Sequence, residues 1–144
     1  MDRGKRHSLL ALALGALLVA PQAFAVGPFG QAPLTAVPGD PARGLAVIRD
    51  QSRASCLICH TISSLPDPDQ GVMGPPLGGV ALAYDAQALR ARIMDSRRLS
   101  ADTIMPPYFT TEGLYRVGMK WQGQTIYSAQ DVEDVVAFLL TLKD

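Results

Sequence analysis

The sequence predicts an all-α domain with long loops, on three observations. Apolar residues recur at helical spacing behind helix-capping residues. The stretches between these segments are crowded with proline and glycine. No internal repeat breaks the chain into smaller units.

The first element is not part of that domain. Arg3, Lys5 and Arg6 precede a 12-residue uncharged run from Leu9 to Ala20, and Ala23-Phe-Ala25 follows as a small-residue cleavage site. This is the order of a secretory signal peptide, residues 1–25, and it predicts a periplasmic product. The apolar run falls well short of the roughly 20 residues that span a bilayer. Cleavage after Ala25 leaves 119 residues and removes three of 13 basic and one of 13 acidic residues, for a net charge of −2. It also removes His7, so His60 becomes the sole histidine. No basic patch with interleaved aromatics points to nucleic acid.

Residues 26–39 are Pro- and Gly-rich without an apolar period and read as an extended arm. The domain proper runs over 40–144. Asp40 before Pro41 has the form of an N-cap and a first helical position, predicting a helix over 41–53. Residues 61–79 carry Pro66, Pro68, Pro75, Pro76 and four glycines, and are loop. Asp85 caps a helix with Ala86, Leu89 and Ile93 on one face, ending near Arg97 and Arg98, whose charges suit a helix C-terminus. Residues 100–123 show no period and contain Pro106 and Pro107. Ser128 and Asp131 form a capping box variant ahead of Val132, Val135, Val136 and Leu139, predicting a helix to about Leu142. Loops this long are unusual in a small domain. They are accounted for if they wrap a large apolar prosthetic group.

Cys56, Cys59 and His60 supply a reason for such a group. They form C-x-x-C-H, the attachment signature of c-type haem. The spacing lets two thioethers reach one porphyrin edge while the next imidazole meets the iron. The competing readings are weaker. A disulfide across two residues closes a short loop and stabilises little. A thioredoxin-like pair needs surrounding strands, and none precedes Cys56. Zinc needs four ligands, and these three residues exhaust the Cys and His of the processed chain. One covalent haem is therefore expected, with His60 as an axial ligand.

The second axial ligand cannot be histidine. Methionine is a common partner and raises the potential. Met94 falls near the apolar face of the middle helix and reads as core. Met105, held by Pro106 and Pro107, is favoured. Met119 and then Met73 stand behind it as alternatives. An iron-bound imidazole usually donates its other N–H to a carbonyl, and the Pro75 carbonyl is the candidate. With both axial positions filled, both thiols consumed and no second histidine, electron transfer is expected rather than catalysis, so no catalytic residue is assigned. Asp67 and Asp69 read as solvated loop carboxylates. Tyr108, Phe109, Tyr115 and Trp121 read equally as haem packing or partner surface.

The pattern of Gly44, Cys56 to His60, Gly74-Pro-Pro-Leu-Gly-Gly-Val80, Met105-Pro-Pro and the final helix resembles class I cytochrome c over most of 40–144. That family implies three main helices and long loops around one haem, its first and last helices crossing at a small residue, here Gly44 against Phe138 or a neighbour. A narrower resemblance lies in Ile104-Met-Pro-Pro-Tyr108, Tyr115-Arg-Val-Gly, Trp121-Gln-Gly-Gln-Thr-Ile126 and the segment from Ser128 to Phe138. These are similar to the SoxX family, the small monohaem subunits of SoxAX complexes, and the added stretch 111–127 is shared. Ser128 and Phe138 replace the commoner Thr and Tyr. This resemblance implies His60/Met105 ligation and a heterodimer with a SoxA-like cytochrome subunit that holds the catalytic cysteine. It also implies a part in coupling thiosulfate to a cysteine of a SoxY-type carrier protein, with two electrons passing to a cytochrome c acceptor. A free-standing periplasmic electron carrier is the alternative.

Overall fold

Asp40 begins the first helix as its type predicts: its carboxylate accepts from the Arg43 N–H at 2.8 Å, with Pro41 at the first helical position. These residues belong to a computed structural model that describes residues 29–30 and 32–144. The predicted signal peptide, residues 1–25, lies outside the described residues. Helix α1 is Pro41–Arg49, shorter than the expected 41–53. Asp50 leaves helical geometry and turns its carboxylate to Ser52 N–H and to Arg53, so Gln51–Arg53 form a 3₁₀ turn instead. A short acidic side chain that satisfies nearby donors competes with helix continuation.

A four-residue helix α2, Val80–Ala83, is too short to show a period and was not expected. Helix α3, Ala86–Asp95, is capped by Asp85 and runs into a 3₁₀ turn, Ser96–Arg98. Helix α4, Ala129–Leu139, opens with the full capping box, Ser128 and Asp131 each satisfying the other's backbone N–H. It stops three residues short of Leu142, which is still buried because the chain tightens into i+3 bonds rather than unwinding. The three main helices, α1, α3 and α4, carry the all-α fold, and no strand occurs among the described residues.

The core is built where α1 and α3 meet α4, from Ile48, Ile62, Tyr127, Val132 and Val135. Helices α1 and α4 cross at Gly44. A Cβ there would strike the Asp134 carbonyl and come 2.9 Å from Phe138 Cβ, so the missing side chain sets the approach. Close helix packing of this kind requires small residues at the contact.

Two charged residues of α4, Glu133 and Asp134, are buried. Asp134 accepts from the Arg43 guanidinium at 2.7 and 2.8 Å and from the Asp40 N–H at 2.8 Å. Glu133 forms a two-pronged pair with buried Arg90 of α3 at 2.7 and 2.9 Å, and also accepts from the Leu34 N–H. Arg90 reaches on to the Gly30 carbonyl. The described part of the arm thus lies over α3 and α4, and these charges bond it there.

Burial by itself would push the Glu133 carboxyl up, but the Arg90 guanidinium and the Leu34 N–H together hold it below the usual range. Asp134 and Asp131 are likewise lowered against the effect of burial, and half-buried Asp50 is held at about 2 by Ser52 and Arg53. Carboxylates lowered on folding bind fewer protons folded than unfolded, so their stabilisation is complete above the unfolded value and lost as pH falls through the folded one. The denaturation midpoint of the protein is expected to stay flat from neutral pH to about 5 and to drop below about 4. Glu133→Gln leaves Arg90 buried without a counter-charge, so it should cost about 3 kcal/mol at neutral pH. It should also make the acid limb shallower in denaturant titrations run across that pH range.

Candidate haem site

Helix α1 hands the chain to the cysteine motif through Ala54, which sits in the left-handed region at φ 75°. The buried Tyr127 hydroxyl donates to its carbonyl at 3.3 Å, bracing the turn. Ser55 then caps a 3₁₀ turn, Cys56–Ile58, its hydroxyl accepting from Leu57 N–H and donating to the Ile48 carbonyl of α1. The N–H groups of Cys59 and His60 both donate to the Cys56 carbonyl, at 3.1 and 2.9 Å. One helical turn therefore brings the two sulfurs and the imidazole together.

The loop after the motif runs back alongside it. Gly71 N–H donates to Leu57, Gly74 to Cys59 and Leu77 to Thr61, at 2.8, 2.7 and 2.8 Å. This backbone register sets the Pro75 carbonyl 2.7 Å from His60 Nδ1. A carbonyl can only accept, so Nδ1 carries a hydrogen and Nε2 is the ring nitrogen left to face an iron. Gly74 lies flat against the ring. A Cβ there would come 2.6 Å from His60 Nδ1, so the cradle admits the imidazole and no side chain. Asp67, expected to be solvated, is engaged: Arg49 clamps both its carboxylate oxygens and pins the loop to the end of α1.

Cys56 and Cys59 are not joined in a disulfide, and both are half-buried. Burial pushes the Cys56 thiol up to about 11, partly opposed by the Tyr127 hydroxyl at 4.0 Å. Two neighbouring cysteines, an imidazole anchored through Nδ1 and a glycine cradle fit a covalently held haem.

The four methionines of the domain separate by environment. Met73 and Met119 are exposed, at 68% and 88%. Met94 and Met105 are half-buried against the core, Met94 within α3 and Met105 in the loop beyond it. Met105 is tied at both ends of its backbone, its N–H donating to Thr103 Oγ1 and its carbonyl accepting from Ser96 Oγ. Tyr108 and Phe109 N–H groups then bond to the Ile93 and Met94 carbonyls, clipping the Pro106-Pro107 segment to the end of α3.

The aromatics divide in two. Tyr108 is buried and stacks on Tyr127 with centroids 4.6 Å apart, and Phe109 packs against the core. Burial and the nearby Cys56 push both tyrosine hydroxyls well above their usual range. Tyr115 and Trp121 instead line an outer cleft. Tyr127 was missed in the sequence. Its signal was its place just before the N-cap, where an apolar residue staples the helix entry to Val132.

The cytochrome c family model matches residues 43–143. Among solved structures, a chain of the SoxXA crystal structure from P. pantotrophus is similar at 34% identity and a TM-score of 0.71, covering 79% of this chain and 89% of that one. A search of the curated proteins finds no match. No helix among the described residues is long and apolar enough to cross a membrane.

Proposed function

The chain belongs to the cytochrome c family, and from that premise we propose that it is the electron-transfer subunit of a SoxAX-type complex. In this reading Cys56 and Cys59 would hold one haem through thioethers, and His60 Nε2 and Met105 would be the residues that bind its iron. The bound haem supplies reversible one-electron storage at its iron. The chain's own residues do the rest. Pro75 and Gly74 fix the tautomer and plane of the imidazole, and the Pro106-Pro107 segment holds Met105 in place. With both thiols consumed and His60 committed, no free thiol or imidazole remains in the processed chain for bond-making chemistry at sulfur.

That chemistry therefore falls to another chain. A SoxA-like cytochrome subunit carries the catalytic cysteine and joins thiosulfate to a SoxY-type carrier protein. This subunit passes the two electrons released, one at a time, to a cytochrome c acceptor in the periplasm, reached after cleavage near Ala25. The observation that supports the reading most is the similarity to a chain of SoxXA across most of both lengths. The haem half of the reading rests on the cradle around His60.

The test is to purify the native protein from its own cells under mild conditions and weigh what elutes. The expected result is a coloured chain heavier by one haem, accompanied by a second, larger cytochrome. A coloured chain running alone would replace the subunit reading with that of a free carrier. A colourless chain of bare polypeptide mass would end both.

A further inference from the structure

The arm ahead of α1 is fixed at both of its described ends. Near Asp40 it lies on α4. A Cβ at Gly39 would strike the Glu133 carbonyl and come 2.9 Å from Ala137 Cβ, and the Leu34 N–H donates to Glu133 Oε1 at 2.9 Å. Farther back it lies on α3. A Cβ at Gly30 would come 2.8 Å from Ala91 Cβ and 2.9 Å from Ala91 Cα, and the Gly30 carbonyl accepts from buried Arg90 at 2.9 Å. Phe29 then meets the Arg98 guanidinium, 4.6 Å from the ring centroid, in the 3₁₀ turn that follows α3. A cation over an aromatic face is attracted to it.

The turn that Phe29 reaches is the one that holds Met105. Ser96 Oγ in that turn donates to the Met105 carbonyl at 2.9 Å, and the last carbonyls of α3, at Ile93 and Met94, accept from Tyr108 and Phe109. Helix α3 packs chiefly on α4, whereas α4 packs chiefly on α1. The arm bonds to both α3 and α4 and adds a second tie beside the Arg90–Glu133 pair. Cover for α4 alone would require nothing beyond Leu34, yet the arm continues to the turn beyond α3.

We propose that the arm is a strap that keeps Met105 on the iron, with Phe29 and Gly30 as positioning residues that act through Arg98, Arg90 and the Ser96 turn. The inference rests on the reading of Met105 as an axial ligand. When the arm lifts, the end of α3 loses its aromatic contact and one bond to a buried guanidinium. The segment hung from that end then leaves the iron more often. Local openings of this kind start where a fold has its weakest ties.

The experiment adds cyanide to the oxidised, haem-loaded protein and follows its absorption. Cyanide enters only where Met105 has left, so its binding rate reads the open fraction of that segment. Phe29→Ala/Gly30→Ala removes the ring and drives a methyl into the backbone of α3, and it keeps both members of the Arg90–Glu133 pair. This variant should bind cyanide about tenfold faster, the factor that one or two hydrogen bonds command. Removal of residues 26–34 should do the same. The control is Val47→Ala, which deletes a buried side chain of α1. It should lower the melting temperature and keep the wild-type rate. Wild-type rates in both arm variants would overturn the strap. Equal acceleration by Val47→Ala would overturn it too, since the effect would then be general loosening. Met105→Ala separates the strap from the reading beneath it. Fast cyanide binding there, with wild-type rates in the arm variants, removes the strap alone. Binding no faster in Met105→Ala than in the unaltered protein removes the ligand, and the strap with it.

Discussion

Met105→Ala should cost the haem-loaded protein its far-red charge-transfer band, which reports an iron–thioether bond, and lower its reduction potential on the order of 0.2 V, a fraction of the ~0.8 V range that axial ligands command. The direction follows from chemistry: a thioether stabilises the reduced iron, and its loss favours the oxidised form. The size follows from placement. Met105 is anchored through both its N–H and its carbonyl and is followed by two prolines, so its backbone is held in place. Met94 lies half-buried within α3, and Met73 and Met119 are mostly in water. Alanine at 73 or 119 should therefore leave band and potential as they are. Alanine at 94 should lower the melting temperature through lost packing and keep the band. Redox titration with absorption detection separates all four. A band that survives Met105→Ala and vanishes with any other substitution would move the ligand to that residue.

What sequence alone reveals about this protein divides by range. The caps at Asp40, Asp85 and Ser128 are bonds made within three residues, and all three are legible and present. The C-x-x-C-H turn is equally local, and the Pro75 carbonyl could be named because a loop of prolines and glycines has few places to go. Failures begin where partners are far apart. Glu133 and Asp134 are charged, yet they are buried because α1, α3 and the arm converge on them and supply Arg43, Arg90 and two backbone N–H groups. No periodicity in one segment announces an ion pair 43 or 91 residues away. The end of α1 was overrun because no Gly or Pro follows Gly44 to mark a stop before Arg53, while the Asp50 side chain turns to Ser52 and Arg53 and ends the helix. The aromatics of 108–127 were ambiguous for a similar reason. Tyr108 enters the core only by stacking on Tyr127, and that encounter depends on the whole intervening loop.

Gly44 offers the sharpest test of how far the fold depends on one missing side chain. In an exposed helix, Gly→Ala stabilises by about 1 kcal/mol, so the intrinsic preference of α1 favours the substitution. Packing opposes it. The new Cβ would overlap the Asp134 carbonyl, with its carbon 2.6 Å away, and crowd Phe138 Cβ. The obstacle is backbone, not the end of a flexible side chain, so α4 must move as a body. That movement pulls Asp134 away from Arg43 and the Asp40 N–H, and a charge that is buried at present loses its partners. Overpacking costs about 1–3 kcal/mol and occasionally more, and loss of bonds to a buried carboxylate adds to it. Gly44→Ala is therefore expected to lose about 3 kcal/mol despite its better helix propensity. Gly44→Leu should lose enough of a typical stability of about 5–15 kcal/mol that little folded protein accumulates. Gly118→Ala is the matched control, since a Cβ there meets nothing within 4 Å, and its midpoint should move by no more than about 0.5 kcal/mol. Denaturant titration of the haem-loaded variants measures all three. An unchanged midpoint for Gly44→Ala would mean that the α1–α4 crossing can open without loss, and the account of the fold given by that contact would be wrong.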